Sequence, residues 1–85
     1  MENMTDLLHW DDVKLPDKLC EKAQTFRESS MNANRVTLTM KDGRRISNVI
    51  LAEGAWIAKI GSKLITRGED LDFDPKDVED ISSEV

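Results

Sequence analysis

The stretch KDGRRISNVILAEGAWIAKIGSK, from Lys41 to Lys63, decides how this chain is read. It sets Gly43, Gly54 and Gly61 at the breaks between short apolar runs and puts Lys41, Arg44 and Arg45 at the first bend. Just before it, Val36, Leu38 and Met40 alternate with Thr37, Thr39 and Lys41, the two-residue period of a strand with one buried face. Asp42-Gly43 is a strong hairpin signal, because a type I′ turn needs positive φ at both central residues. Further strands are expected at 44–52, 55–60 and 63–66, with a weaker one at 71–73. All four glycines fall between these runs, at Gly43, Gly54, Gly61 and Gly68. The pattern predicts an all-antiparallel meander.

Upstream, Leu15, Leu19, Ala23 and Phe26 recur at three- and four-residue spacing. Pro16 suits a first helical position and Asp17 complements the helix dipole, so a helix is expected at about 16–29. Residues 1–13 show no clean period, although Leu7, Leu8, Trp10 and Val13 are apolar. Downstream, Asp74 and Pro75 can open one helical turn as cap and first residue. Val78 and Ile81 then cover the end of the sheet, either on that turn or on a closing strand. The expected architecture is mainly β with one N-terminal helix and a small five-stranded antiparallel barrel. Residues 1–34 form the N-terminal segment, 35–81 the barrel and 82–85 a mobile acidic tail, all in one structural domain.

Size and composition agree with that plan. Leu, Ile, Val and Phe make 21 of the 85 residues, which places the chain on the folded side of the usual compositional boundary. No apolar run approaches the length of a membrane span, and MENMTDLLHWDD lacks the basic start and apolar middle of a signal peptide. Asn3-Met4-Thr5 fits a glycosylation acceptor that would matter only in a secreted protein. The single cysteine, Cys20, excludes an internal disulfide and suits a reducing compartment. The expectation is a cytoplasmic protein with no membrane association.

The net charge of −5 conceals a segregation. Residues 1–34 carry −3, residues 35–68 carry +5 and residues 69–85 carry −7. Such asymmetry marks either an anion-binding surface beside an acidic tail or a basic sheet clasped by its own acidic end.

The alternating strand, the Asp-Gly-Arg hairpin and the apolar second strand, from Val36 to Ile46, resemble the Sm-like pattern and, more loosely, the Src-homology-type small barrel. The resemblance covers residues 16–81 in order of elements and about a dozen residues in sequence. It implies a single helix packed on five bent strands, and single-stranded RNA as a ligand class. The chain departs from the pattern where function would sit. Ser47-Asn48 stand where the family places a glycine, and Ala52-Glu53-Gly54-Ala55 lacks its base-holding Asp and Asn. Arg67-Gly68 meets the last motif but runs at once into Glu69-Asp70. No base-binding residue carries over, and fold alone does not fix function.

Catalysis would need groups brought together. Cys20 and His9 are the only thiol and imidazole, and Cys20 sits beside Leu19 on the helix like a small buried hydrophobe. No catalytic residue and no cofactor is expected. Asp70, Asp72, Asp74 and Asp77 start like a calcium loop, but Pro75 and Ile81 occupy positions that need glycine and glutamate, so no metal site is expected. The best ligand candidates are Lys41, Arg44, Arg45 and Lys59, with Trp56 as a stacking surface if it points outward or as core if it does not. Val49-Ile50-Leu51 and Trp56-Ile57 are apolar at consecutive positions, so both sheet faces carry hydrophobic side chains unless a bulge intervenes. The helix or a partner should cover the second face. The reading is a non-catalytic protein-interaction module, its partner another protein or a second copy bound against Val49, Leu51, Ile57 and Ile65 or the basic hairpin. A single-stranded RNA binder using the basic residues and Trp56 is the alternative.

Overall fold

A computed structural model describes residues 12–26 and 33–84. Leu7, Leu8, His9, Trp10, Val85 and the end of the expected helix, 27–29, lie outside the described residues. Among the described residues one helix, α1 (Asp17–Ala23), precedes five strands: β1 (Ala33–Met40), β2 (Arg45–Ala52), β3 (Trp56–Ile60), β4 (Lys63–Leu64) and β5 (Val78–Ser83). The strands form one antiparallel sheet in the order β4-β3-β2-β1-β5. β4 and β5 are its two edges and do not pair with each other, so the sheet is open. Among the described residues no helix is long and apolar enough to cross a membrane.

The helix is shorter than its apolar spacing predicts. Pro16 precedes it, with φ −54 and ψ 148, and accepts the N–H groups of Leu19 and Cys20. At the other end the Thr25 hydroxyl donates to the Lys22 carbonyl at 2.6 Å, and Thr25 and Phe26 close short turns. Such local bonds compete with helix propagation. The spacing still marks the right face. Leu15, Leu19 and Ala23 are buried in the main core, and Phe26 packs against it. α1 therefore covers the inward face of the sheet beside β5, not the outward face, for which the sequence offered the helix or a partner as cover.

The type I′ geometry expected at the first turn appears at the second instead. The first hairpin closes over three residues, with Met40 N–H bonded to the Arg44 carbonyl and Gly43 N–H to the Met40 carbonyl. Only Gly43 has positive φ there, at 92°, which is the three-residue loop ending in a left-handed glycine and not type I′. The type I′ geometry appears at Glu53 and Gly54, with φ of 53° and 72° and an Ala55 N–H to Ala52 carbonyl bond. Gly54 is also hemmed in. A Cβ there would meet Gln24 Nε2 at 2.8 Å and Ala23 Cβ at 3.4 Å, whereas one at Gly43 would meet nothing within 4 Å. Both substitutions by alanine carry the left-handed penalty of about 1–2 kcal/mol. Gly54→Ala also pushes aside the Gln24 amide that donates to the Glu53 carbonyl and should destabilise the protein slightly more than Gly43→Ala in urea denaturation.

The consecutive apolar residues of β2 are explained by irregular register. The β2–β3 pairing shifts between Ile50 and Leu51, leaving Ala58 as the extra residue on β3. Asn48, at φ 57°, adds a kink opposite the shift between Val36 and Leu38. Val36, Leu38, Val49, Leu51 and Ile57 consequently all point inward and are at most 1% exposed. No strand forms at 71–73, and β4 ends at Leu64. A 3-10 turn occupies Gly68–Asp70, and a second at Pro75–Asp77 is capped by the Asp74 carboxylate accepting from Lys76 N–H. β5 follows directly and carries Val78 and Ile81 into the core.

The C-terminal end corrects the sequence expectation most. Ser82 and Ser83 belong to β5 and pair with Thr37 and Val36, so the strand passes the boundary placed at 81. Glu84 continues the docking. Its N–H donates to the Arg35 carbonyl, and its carboxylate accepts from the Thr37 hydroxyl at 2.6 Å and from Asn48 N–H at 2.7 Å. Residues 82–84 are thus the end of the sheet rather than a tail. Of the two readings of the charge segregation, the clasp has one contact between the basic and acidic segments, Arg35 facing Glu84 at 3.7 Å, while Lys22 of the N-terminal segment holds Asp80 at 2.6 Å.

Candidate functional site

The five residues singled out from sequence do not form one surface. Lys41, Arg44 and Arg45 are exposed around the β1–β2 hairpin. Trp56 is paired with Ala52 at the opposite end of β2. Arg45 and Ala52 are the two ends of an eight-residue strand, about 23 Å of extended chain. A base stacked on Trp56 and a phosphate on Arg44 or Arg45 would need a ligand spanning that length. The hairpin also has its own acids. A shallow cavity of about 250 Å³ is lined by Lys41, Asp42, Arg44, Asp72 and Asp77, with Met40 and Phe73. Lys41 N–H donates to the Asp77 carbonyl, which lays the basic tip along the acidic segment. The Asp42 carboxylate is turned back to accept Arg44 N–H. This end of the molecule is a mixed-charge surface.

Trp56 and Lys59 share a different face. Alternation along the strands, with the bulge at Ala58, points Arg35, Ile50, Ala52, Trp56 and Lys59 outward. The register aligns two rows across the sheet. One runs Arg35–Ile50–Lys59–Leu64 over four strands, and the other runs Ala33–Ala52–Trp56–Lys14. Lys14 joins because the N-terminal segment pairs with the outer edge of β3. Leu15 N–H donates to the Ala55 carbonyl and Ile57 N–H to the Val13 carbonyl. Farther along the same edge β4 takes over, with Ile65 N–H bonded to the Ala58 carbonyl. At this changeover lies a crevice of about 170 Å³ lined by Val13, Trp56, Ile57, Ala58, Ile65 and Thr66.

Trp56 is half-buried and packs against the core with its indole Nε1 enclosed, and Lys59 is exposed. Leu64 is 70% exposed, the one large apolar side chain so exposed among the described residues. The apolar set expected to face a partner is instead interior: Val49, Leu51, Ile57 and Ile65 are all buried. The Cys20 thiol donates to the Leu15 carbonyl, and burial pushes its pKa up, away from a reactive thiolate. Asp70 and Asp74 are turned back onto Thr66 and Lys76, and among the described residues no cluster of His, Cys, Asp and Glu could hold a metal ion.

Sequence reasoning missed Lys14, Arg35, Ile50 and Leu64. Strict alternation from Val36 would have found Arg35. Ile50 needed the bulge, and Leu64 needed the knowledge that β4 is an edge. Comparison with protein-family models, with curated protein sequences and with solved structures finds no match.

Proposed function

We propose that this chain is a non-catalytic interaction module that docks a protein segment on the outward face of β1–β4. The observation that carries the reading is Leu64, exposed at the end of a row in which Ile50 lies between Arg35 and Lys59. Ile50 and Leu64 flank Lys59 along that row, which suits a partner segment that offers apolar anchors on either side of a carboxylate. The crevice beside Trp56 has room for one branched apolar side chain. The scaffold is read as Sm-like or Src-homology-type in its order of elements only, since its sheet stays open between β4 and β5. The protein reading draws more support than single-stranded RNA, because Trp56 stands a strand's length from Arg44 and Arg45 and their hairpin is lined with aspartates.

The test is titration with an acidic, leucine-containing peptide and with a short single-stranded RNA, each at low and moderate salt. Leu64→Asp should weaken the peptide at least about tenfold, 1.4 kcal/mol, while Arg44→Ala with Arg45→Ala leaves it unchanged. Saturable, steeply salt-dependent RNA binding that falls in the double arginine variant would overturn the proposal in favour of RNA.

A further inference from the structure

An open sheet presents two rows of unpaired backbone groups, and each is a template for another strand. In an antiparallel edge strand every second residue turns its N–H away from the sheet. On the β4 side, Ile65 N–H bonds to β3, so Leu64 and Thr66 face outward. On the β5 side, Glu84 N–H bonds to Arg35, and alternation back along the strand turns Ile81 N–H outward. Thr66 N–H and Ile81 N–H each meet an aspartate. Asp70 Oδ2 accepts from Thr66 N–H at 2.9 Å and from the Thr66 hydroxyl at 3.1 Å. Asp80 Oδ1 accepts from Ile81 N–H at 2.9 Å and is held there by Lys22 Nζ from α1.

We propose that Asp70 and Asp80 are edge guards: each carboxylate occupies an N–H turned outward along one edge of the sheet, Thr66 just past β4 and Ile81 within β5, and keeps a second copy of this chain from pairing edge to edge. A strand approaching either edge must displace a charged acceptor and leave it beside incoming carbonyl oxygens. With Thr66 closed, β4 offers only Leu64 as an outward-facing ladder residue, too little for a stable strand pair. Both carboxylates have pKa values lowered first by hydrogen bonds, from Thr66 for Asp70 and from Lys22 for Asp80, so they stay ionised at neutral pH. The device is independent of the docking reading, since Leu64→Asp leaves both caps in place.

The experiment compares the full chain with Asp70→Ala/Asp80→Ala and Asp70→Asn/Asp80→Asn by sedimentation velocity between roughly micromolar and millimolar concentration. Circular dichroism confirms the fold of each. The parent chain should keep one apparent mass. The alanine variant should climb with concentration to that of a dimer or larger species, and the asparagine variant should lie between, because its amide oxygen still accepts the bond. A folded alanine variant whose mass stays constant overturns the proposal. So does an asparagine variant that associates as strongly, because charge alone would then be the guard. Should the alanine variant not fold, amide exchange in the parent chain decides. Protection of Thr66 and Ile81 at least about tenfold above Leu64 supports the caps, and equal rates overturn them.

Discussion

Leu38→Ala is expected to remove about 3–4 kcal/mol of stability, within the range of buried leucine truncations. Leu38 sits in the middle of β1, paired with Ile46 on one side and Ile81 on the other, and is fully enclosed. Its neighbours are backbone-tethered on both flanks, so they cannot collapse into the space and the cavity term is paid in full. A domain of this length has about 4–13 kcal/mol in total, so the variant should sit near the edge of folding. Urea denaturation should show a lower midpoint with an unchanged slope. Leu64→Ala is the control. An equal apolar loss at a side chain already 70% exposed should change stability by less than about 0.5 kcal/mol. A Leu38 variant as stable as the Leu64 variant would mean that β1 is not the centre of the core.

Deleting residues 82–85 is the second large effect, and its sign reverses the sequence-based expectation of a melting temperature left nearly unchanged. The deletion removes the Ser82 and Ser83 pairing with β1, the Glu84 N–H bond to Arg35, and the two bonds that Thr37 and Asn48 donate to the Glu84 carboxylate. At about 0.5–1.5 kcal/mol each, these four interactions sum to about 2–6 kcal/mol. The melting temperature should fall by at least roughly 10 °C. Glu84→Ala should reproduce a minor share of that loss. The carboxylate also gives the effect a pH signature. The Thr37 hydroxyl, then Asn48 N–H, hold the Glu84 pKa below its ordinary 4.5. A group whose folded pKa is depressed stabilises the fold fully above its unfolded value. The parent chain should therefore lose stability as pH falls below about 4.5 and through the lower folded value, and Glu84→Ala should flatten that limb of the curve. A deletion variant that melts with the parent would show that β5 ends before residue 82.

How far the site could be read from sequence is clearest at β2. Val49, Ile50 and Leu51 announce a strand but not which of them faces in. A single extra residue at Ala58 on the neighbouring strand settles it, and an alanine between Ile57 and Lys59 carries no sign of a bulge. The partner-facing set was consequently assigned to the interior residues Val49, Leu51, Ile57 and Ile65. The basic hairpin shows the same limit for charge. Lys41, Arg44 and Arg45 look like an anion site until the chain returns 30 residues later and lays Asp72 and Asp77 beside them.

What the sequence determined by itself is local: a helical turn after Pro16, an alternating strand at 36–40, hairpins at Gly43, Gly54 and Gly61, and the Asp74-Pro75 turn. These follow from backbone sterics and side-chain period, which act over a few residues. Tertiary structure alone decided which face of β2 is the outside, that Trp56 and the arginines are apart, and that Glu84 is anchored. Each depends on strand register or on a hydrogen bond between residues dozens of positions apart, and a Glu in a Ser-rich stretch reads as a tail until Thr37 and Asn48 stand ready to receive it.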